Sequence, residues 1–131
     1  MEDKFTINQQ KILDLFFNFP TGLFSAREIA RLTKITHPTV LTALKIFNKR
    51  GLVREEIVKN STKKGKNIGW KADQENTVYR ELKKINNLTK IYSSNLIQKI
   101  VKDTAPDAIV LFGSFSRGED IEDSDIDIFV Q

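Results

Sequence analysis

Over the first fifty residues, apolar side chains recur every three or four positions, and after that the rhythm changes. Ile12, Leu13, Phe16 and Phe17 would share one face of a helix. Thr6-Ile7-Asn8-Gln9 supplies its start as a capping box, in which the hydroxyl takes the fourth residue's N–H and the amide reaches back. Pro20 and Gly22 stop it. Ser25-Ala26-Arg27-Glu28 is a second capping box, and the short helix behind it is predicted to bury Ile29, Ala30 and Leu32. Thr36 is placed to cap a third helix, with Pro38 in the first turn, where a missing N–H costs nothing. Val40, Leu44 and Phe47 then recur at helical spacing, and Gly51 after Lys49-Arg50 fits a left-handed C-terminal cap.

Past Gly51 the segments shorten. Leu52 to Lys59 is partly β-branched, 60–66 is polar and basic, and Ile68 to Lys71 resumes with Trp70, which predicts a two-stranded ribbon with a basic tip. Residues 75–103 turn helical again, with Val78, Leu82 and Ile85 in one stripe, Leu96, Ile97, Ile100 and Val101 in another, and a break expected at Asn86-Asn87. Pro106 ends that stretch. Ala108 to Phe112 reads as a buried strand, followed by a Gly-Ser loop, an acidic segment, and a second strand over Ile126 to Val130. The fold class expected is mainly α with small β (α+β).

Charge divides the chain. Residues 1–102 carry 20 Lys and Arg against 9 Asp and Glu, whereas residues 103–131 carry one against eight, within a net charge of +4. A basic part suits phosphates and an acidic part suits cations. No cysteine is present, so disulfides and cysteine-based zinc sites are excluded. No apolar run approaches the ~20 residues that span a bilayer, and the N-terminus, MEDKFTINQQ, lacks a basic-then-apolar leader pattern. A cytoplasmic protein is expected.

The segment Ser25–Val53, SAREIARLTKITHPTVLTALKIFNKRGLV, resembles the winged helix-turn-helix of ArsR/MarR-type regulators in its S-x-x-E-I-A start, Thr39-Val40, Leu44 and Lys49-Arg50-Gly51-Leu52-Val53. The resemblance covers about residues 5–72. It implies that the third helix enters the DNA major groove. His37, Thr39, Thr42 and Lys45 are then candidate base readers, and Leu41 can touch a thymine methyl. Arg27, Lys49, Arg50, Lys63, Lys64 and Lys66 are candidate phosphate contacts, which supply affinity and salt dependence rather than sequence choice. A winged helix can instead serve protein contact.

Nearer the C-terminus, a strand runs into Gly113-Ser114, offering backbone N–H groups and a hydroxyl to a phosphate. Asp125 and Asp127, two apart on the predicted second strand, would face the same side, as ligands of a hard cation such as Mg²⁺ do. If the two strands pair antiparallel, the phosphate donors and the carboxylates converge. The run LFGSFSRG…SDIDIFV resembles the minimal nucleotidyltransferases of the DNA polymerase β superfamily, whose pattern is GSxxxG…SDxDxxV. The resemblance implies that Gly113 and Ser114 bind a nucleoside triphosphate, that Asp125 and Asp127 bind Mg²⁺, and that a nucleotidyl group passes to a hydroxyl with release of pyrophosphate. The family uses a third carboxylate on a later strand, beyond Gln131. Glu119, Asp120, Glu122 and Asp123 are poor substitutes, expected to face water. This chain alone is therefore expected to have little or no transferase activity, as a fragment of a longer protein or as a vestige.

These readings give a winged helix-turn-helix domain over residues 1–73, a helical connector over 74–89 and the first part of a nucleotidyltransferase-like domain over 90–131. Val78, Leu82, Ile85, Thr89, Tyr92 and Leu96 follow a 4-3-4-3 spacing, so residues 75–103 are a candidate homodimer seam. The function expected is a regulator of transcription that binds double-stranded DNA. The alternative is a Mg²⁺-dependent nucleotidyltransferase positioned by its winged helix. An antitoxin-like role with a toxin partner is a third idea, resting on the resemblance alone.

Overall fold

The structure, a computed structural model, describes residues 4–58 and 67–131. It separates into two compact units, Met1–Asn76 and Thr77–Gln131, mainly α with small β.

The first unit runs α1 (Ile7–Asn18), β1 (Leu23–Phe24), α2 (Ala26–Thr33), α3 (His37–Lys49), β2 (Val53–Val58) and β3 (Asn67–Ala72). Both capping boxes form: Thr6 with Gln9, and Ser25 with Glu28. The strands make one antiparallel sheet in the order β1-β3-β2. β1 is too short for sequence periodicity to reveal. It pairs with Lys71 and Trp70 of β3, and its Leu23 side chain fills the space a Cβ at Gly69 would take. The core comprises Ile12, Leu13, Phe16 and Phe17 of α1, Ala26 and Ile29 of α2, Val40, Ala43, Leu44 and Phe47 of α3, and Leu52, Val53, Trp70 and Ala72 from the hairpin.

Two expectations about α2 and α3 need correction. Leu32 is half exposed, at 50%. The buried anchor at this end is instead Ile35, delivered inward by a left-handed Lys34 (φ 60°) in the turn between the two helices. Thr36 is the residue at the head of α3, yet its hydroxyl makes no cap bond. A capping hydroxyl normally takes the N–H of the second or third helical residue. Here the second is Pro38, which has none, and the hydroxyl turns to Thr39 Oγ1 at 2.9 Å.

The second unit runs α4 (Thr77–Ser93), α5 (Leu96–Thr104), β4 (Ile109–Phe112), α6 (Gly113–Ser116) and β5 (Asp127–Val130). β4 and β5 pair antiparallel, with Phe112 opposite Asp127. The residues read as a connector are the first part of α4, which packs within this unit. The helical stretch breaks at Asn95, in a left-handed conformation (φ 62°), and not at Asn86-Asn87. Asn87 stays helical because its side chain is anchored in the interior of the unit. The buried face of α4 is Tyr79, Lys83, Asn87 and Ile91. The stripe expected to form a helix–helix seam lies mostly outside: Val78 is exposed, and Ile85 and Tyr92 are each 61% exposed. Among the described residues no helix is long and apolar enough to cross a membrane.

Phe47 is fully enclosed and Leu32 is not. Phe47→Ala is therefore expected to cost about 3–5 kcal/mol, and Leu32→Ala about 1 kcal/mol or less. Denaturant unfolding of the two variants checks both values.

Candidate functional site

In the first unit the inward side of α3 is apolar and closed, so the outward side is left for contact. Thr39, Thr42 and Lys45 are exposed on it, and Lys49 and Arg50 are exposed at its end. The hydroxyls are partly committed. Thr42 donates to Pro38 O at 3.0 Å, which leaves its oxygen to accept and its methyl outward. Thr39 accepts from Thr36 and keeps its own proton to donate. His37 and Leu41 are half-buried. Together with Ser25, Arg27, Ile68 and Trp70 they line a concavity of about 720 Å³, so they sit beside the exposed face and not at its centre. Arg27 is exposed at the start of α2. The Arg50 guanidinium lies 5.1 Å from the centre of the Phe5 ring, a cation–π contact that holds it near the end of α3. Lys63, Lys64 and Lys66 lie outside the described residues.

In the second unit the antiparallel pairing of β4 with β5 sets the end of one strand against the start of the other. Gly113 follows β4 at φ 79°, where an L side chain is strained. A Cβ on it would run into the Asp127 carboxylate, so the glycine is what lets the two meet. Ser114 comes next. Its carbonyl accepts Arg117 N at 3.1 Å and Glu119 N at 3.0 Å, and Ser116 Oγ donates to Gly113 O at 2.6 Å. These bonds wind residues 113–119 into a tight turn. Asp125 lies in the loop before β5 and is exposed, so strand alternation is not what places it. The structure thus brings Gly113, Ser114 and Asp127 together and leaves Asp125 two residues away.

Four residues outside the predicted set hold this turn. Lys83 and Asp120 form an ion pair, Nζ to Oδ1 at 2.5 Å, with side chains only 1% and 13% exposed. Lys83 Nζ also donates to Asp120 O at 2.9 Å. Asn87 Nδ2 donates to Phe115 O at 3.0 Å and to Asp120 Oδ1 at 2.8 Å. Gly118, at φ 69°, rests against the Arg80 carbonyl, where any Cβ would collide. Asp120, expected to face water, is instead a largely buried structural carboxylate, its side chain 13% exposed. Glu119 is paired with Arg117. Burial lowers the Lys83 ammonium below its usual range, and the Asp120 carboxylate partly offsets this. Burial raises the Tyr79 phenol above its usual range, helped by the carboxylates of Asp120 and Glu122. One sign was readable in the sequence: Tyr79, Lys83 and Asn87 recur every four residues, opposite the apolar stripe.

The group expected from the sequence is a magnesium–triphosphate. The cradle at Gly113 is one that a Cβ would fill. Mg²⁺ usually keeps several waters and takes only one or two carboxylates plus phosphate oxygens; Asp127 stands at the Gly113 turn and Asp125 in the exposed loop before β5. Among the described residues no group of three or more His, Cys, Asp or Glu side chains is gathered as a closed metal cage.

The sequence profile of the polymerase beta nucleotidyltransferase family matches residues 94–131. No curated protein matches the chain. Among solved structures, a protein of Methanosarcina mazei Go1 described as a possible transcriptional regulator is similar at 14% identity and a TM-score of 0.53, over 76% of this chain and 80% of that one. A point mutant of Lactococcus lactis ZitR is similar at 19% identity and a TM-score of 0.53, over 78% of this chain and 64% of that one. At such identities the likeness is one of fold.

Gly113→Ala combines a left-handed backbone with a clash at Asp127, and is expected to cost about 1–3 kcal/mol. Gly113→Ala/Asp127→Ala should recover the steric part of that loss. Chemical denaturation of the single and double variants measures it.

Proposed function

We propose that the chain is a DNA-binding regulator of transcription, acting in the cytoplasm. In this reading its first unit is a winged helix-turn-helix of the ArsR/MarR kind, and its second is a nucleotidyltransferase-like module. The observation that carries the reading is the division of α3, with Val40, Leu44 and Phe47 fully buried and Thr39, Thr42 and Lys45 exposed. A helix held in this way can present one polar side to a major groove. Lys45 can donate to guanine, the Thr42 oxygen can accept from cytosine or adenine, and its methyl can meet thymine. His37 and Leu41 would act at the margin of the contact. Arg27, Lys49 and Arg50, with Lys63, Lys64 and Lys66 of the basic segment, would meet phosphates. The exposed apolar side of α4 is the surface through which residues 75–103 would pair two copies. Such a dimer would set two recognition helices about one DNA turn apart.

The juxtaposition of Gly113, Ser114 and Asp127 favours a second role for the other unit. Gly113 and Ser114 would hold the phosphates of a nucleoside triphosphate, and Asp125 and Asp127 would hold Mg²⁺. When bound, that group supplies an activated phosphorus and the cation that neutralises its oxygens. The reading takes binding as the property of this chain and nucleotidyl transfer as the alternative function. Labelled triphosphate transfer that is lost in Asp127→Asn would support the alternative.

Gel shift on DNA selected from a random pool is expected to give binding that weakens steeply with salt. Lys45→Ala should relax base choice at one position, by about 1–3 kcal/mol of discrimination. Lys49→Ala should weaken all sequences alike and reduce the salt slope by about 0.9. Absent or salt-independent binding would overturn the reading.

A further inference from the structure

α4 presents polar groups to its own unit's interior, where an apolar face would pack more cheaply. Lys83 and Asn87 sit one helical turn apart and both reach the segment that follows β4. Asn87 grips the carbonyl of Phe115, next to Ser114, and shares Asp120 Oδ1 with Lys83. Gly118 then lets the backbone of the same turn touch the α4 backbone at Arg80. The two ends of residues 113–120 are therefore fixed independently: Asp127 flanks the first and the Lys83–Asp120 pair anchors the last. Hydrophobic packing alone would not set the direction in which the Ser114 hydroxyl and its neighbouring N–H groups point. A charged, hydrogen-bonded clamp does, because its bonds are directional.

We infer that Lys83, Asn87 and Asp120 are positioning residues that hold the Gly113–Gly118 turn in the shape that receives a triphosphate. This rests on the nucleotide-binding reading of Gly113, Ser114 and Asp127. The three residues touch no ligand themselves. They act through the carbonyls of Phe115 and Asp120, so their loss loosens the turn while α4 remains helical. The energetics separate positioning from mere stability. Removing one partner of a buried ion pair strands the other charge and destabilises strongly, whereas replacing both by uncharged residues of similar volume that pack well costs much less. Lys83→Met/Asp120→Asn should therefore regain stability without regaining the clamp.

The test uses the full chain with Mg²⁺ and ATP as the probe. Titration calorimetry gives affinity, hydrogen exchange reports residues 113–120, and thermal melting gives stability. Lys83→Met is expected to lower Tm, to speed exchange across the turn, and to weaken ATP binding by about 10–100-fold, the scale of loss seen when residues that orient metal ligands are removed. Lys83→Met/Asp120→Asn is expected to regain Tm but keep fast exchange and weak binding. Full recovery of binding in that double variant would overturn the inference, leaving the pair a stability element only. Unchanged binding in Lys83→Met would also overturn it, while leaving the nucleotide site standing if Gly113→Ala abolishes binding. Failure of the unaltered chain to bind Mg²⁺ and ATP would sink the nucleotide reading, and with it any role of Lys83 toward that ligand.

Discussion

Val40, Leu44 and Phe47 are wholly withdrawn from water, and because they recur at helical spacing they fix how α3 is rotated about its own axis. A helix free to roll could not offer a constant set of side chains to anything. Large aromatic and aliphatic groups at these positions make rolling expensive, since each would have to leave a packed site worth several kcal/mol. What α3 shows outward is the residue of that constraint: two threonines and a lysine, alongside Pro38, Ile46 and Asn48, with more basic groups toward its C-terminal end. The same core binds α1, α2 and the hairpin to α3 through Phe16, Ile29, Leu52 and Trp70, so the surroundings of the exposed face are set by the same burial.

The second unit reaches order by other means. Its sheet has two strands, and α5 contains no fully buried residue. Apolar closure alone is correspondingly thin, and directional bonds carry more of the organisation around the 113–120 turn. Two glycines with left-handed backbones make this possible: one admits the Asp127 carboxylate and the other admits the α4 backbone. Buried charge is costly unless it is paired and hydrogen-bonded. The Lys83–Asp120 pair meets that condition through a second bond, to a main-chain carbonyl, and a third from Asn87.

Much of the first unit was legible in the sequence, because its signals are local. A capping box spans four residues, and both formed as read. The apolar positions of α1 and α3 were found from periodicity, as were the hairpin strands to within two residues. The failures share a cause. The two-residue β1 exists only by pairing with β3, more than forty residues on. Asn87 resembled a helix break because asparagine often marks one, yet its partners are Phe115 and Asp120, far along the chain. Lys83 too is held by Asp120, far along the chain, and periodicity gives no hint of such a partner. At the candidate nucleotide site, the motif named Gly113, Ser114 and Asp127, and the contact at Gly113 supplies a physical reason for that glycine. Asp125 was assigned to a strand that begins two residues later. The polar clamp behind the turn carried only a faint four-residue period.

The account stands or falls on whether the outward side of α3 enters a DNA groove. The chain has no cysteine, so a single thiol introduced as Thr42→Cys can carry an iron chelate that cuts DNA locally. On DNA to which the labelled chain binds, the account predicts cuts confined to a few base pairs inside the protected stretch. A parallel label at Lys11→Cys on α1 should give no such focus. Binding with no focused cleavage from position 42, or with sharper cleavage from position 11, would contradict it.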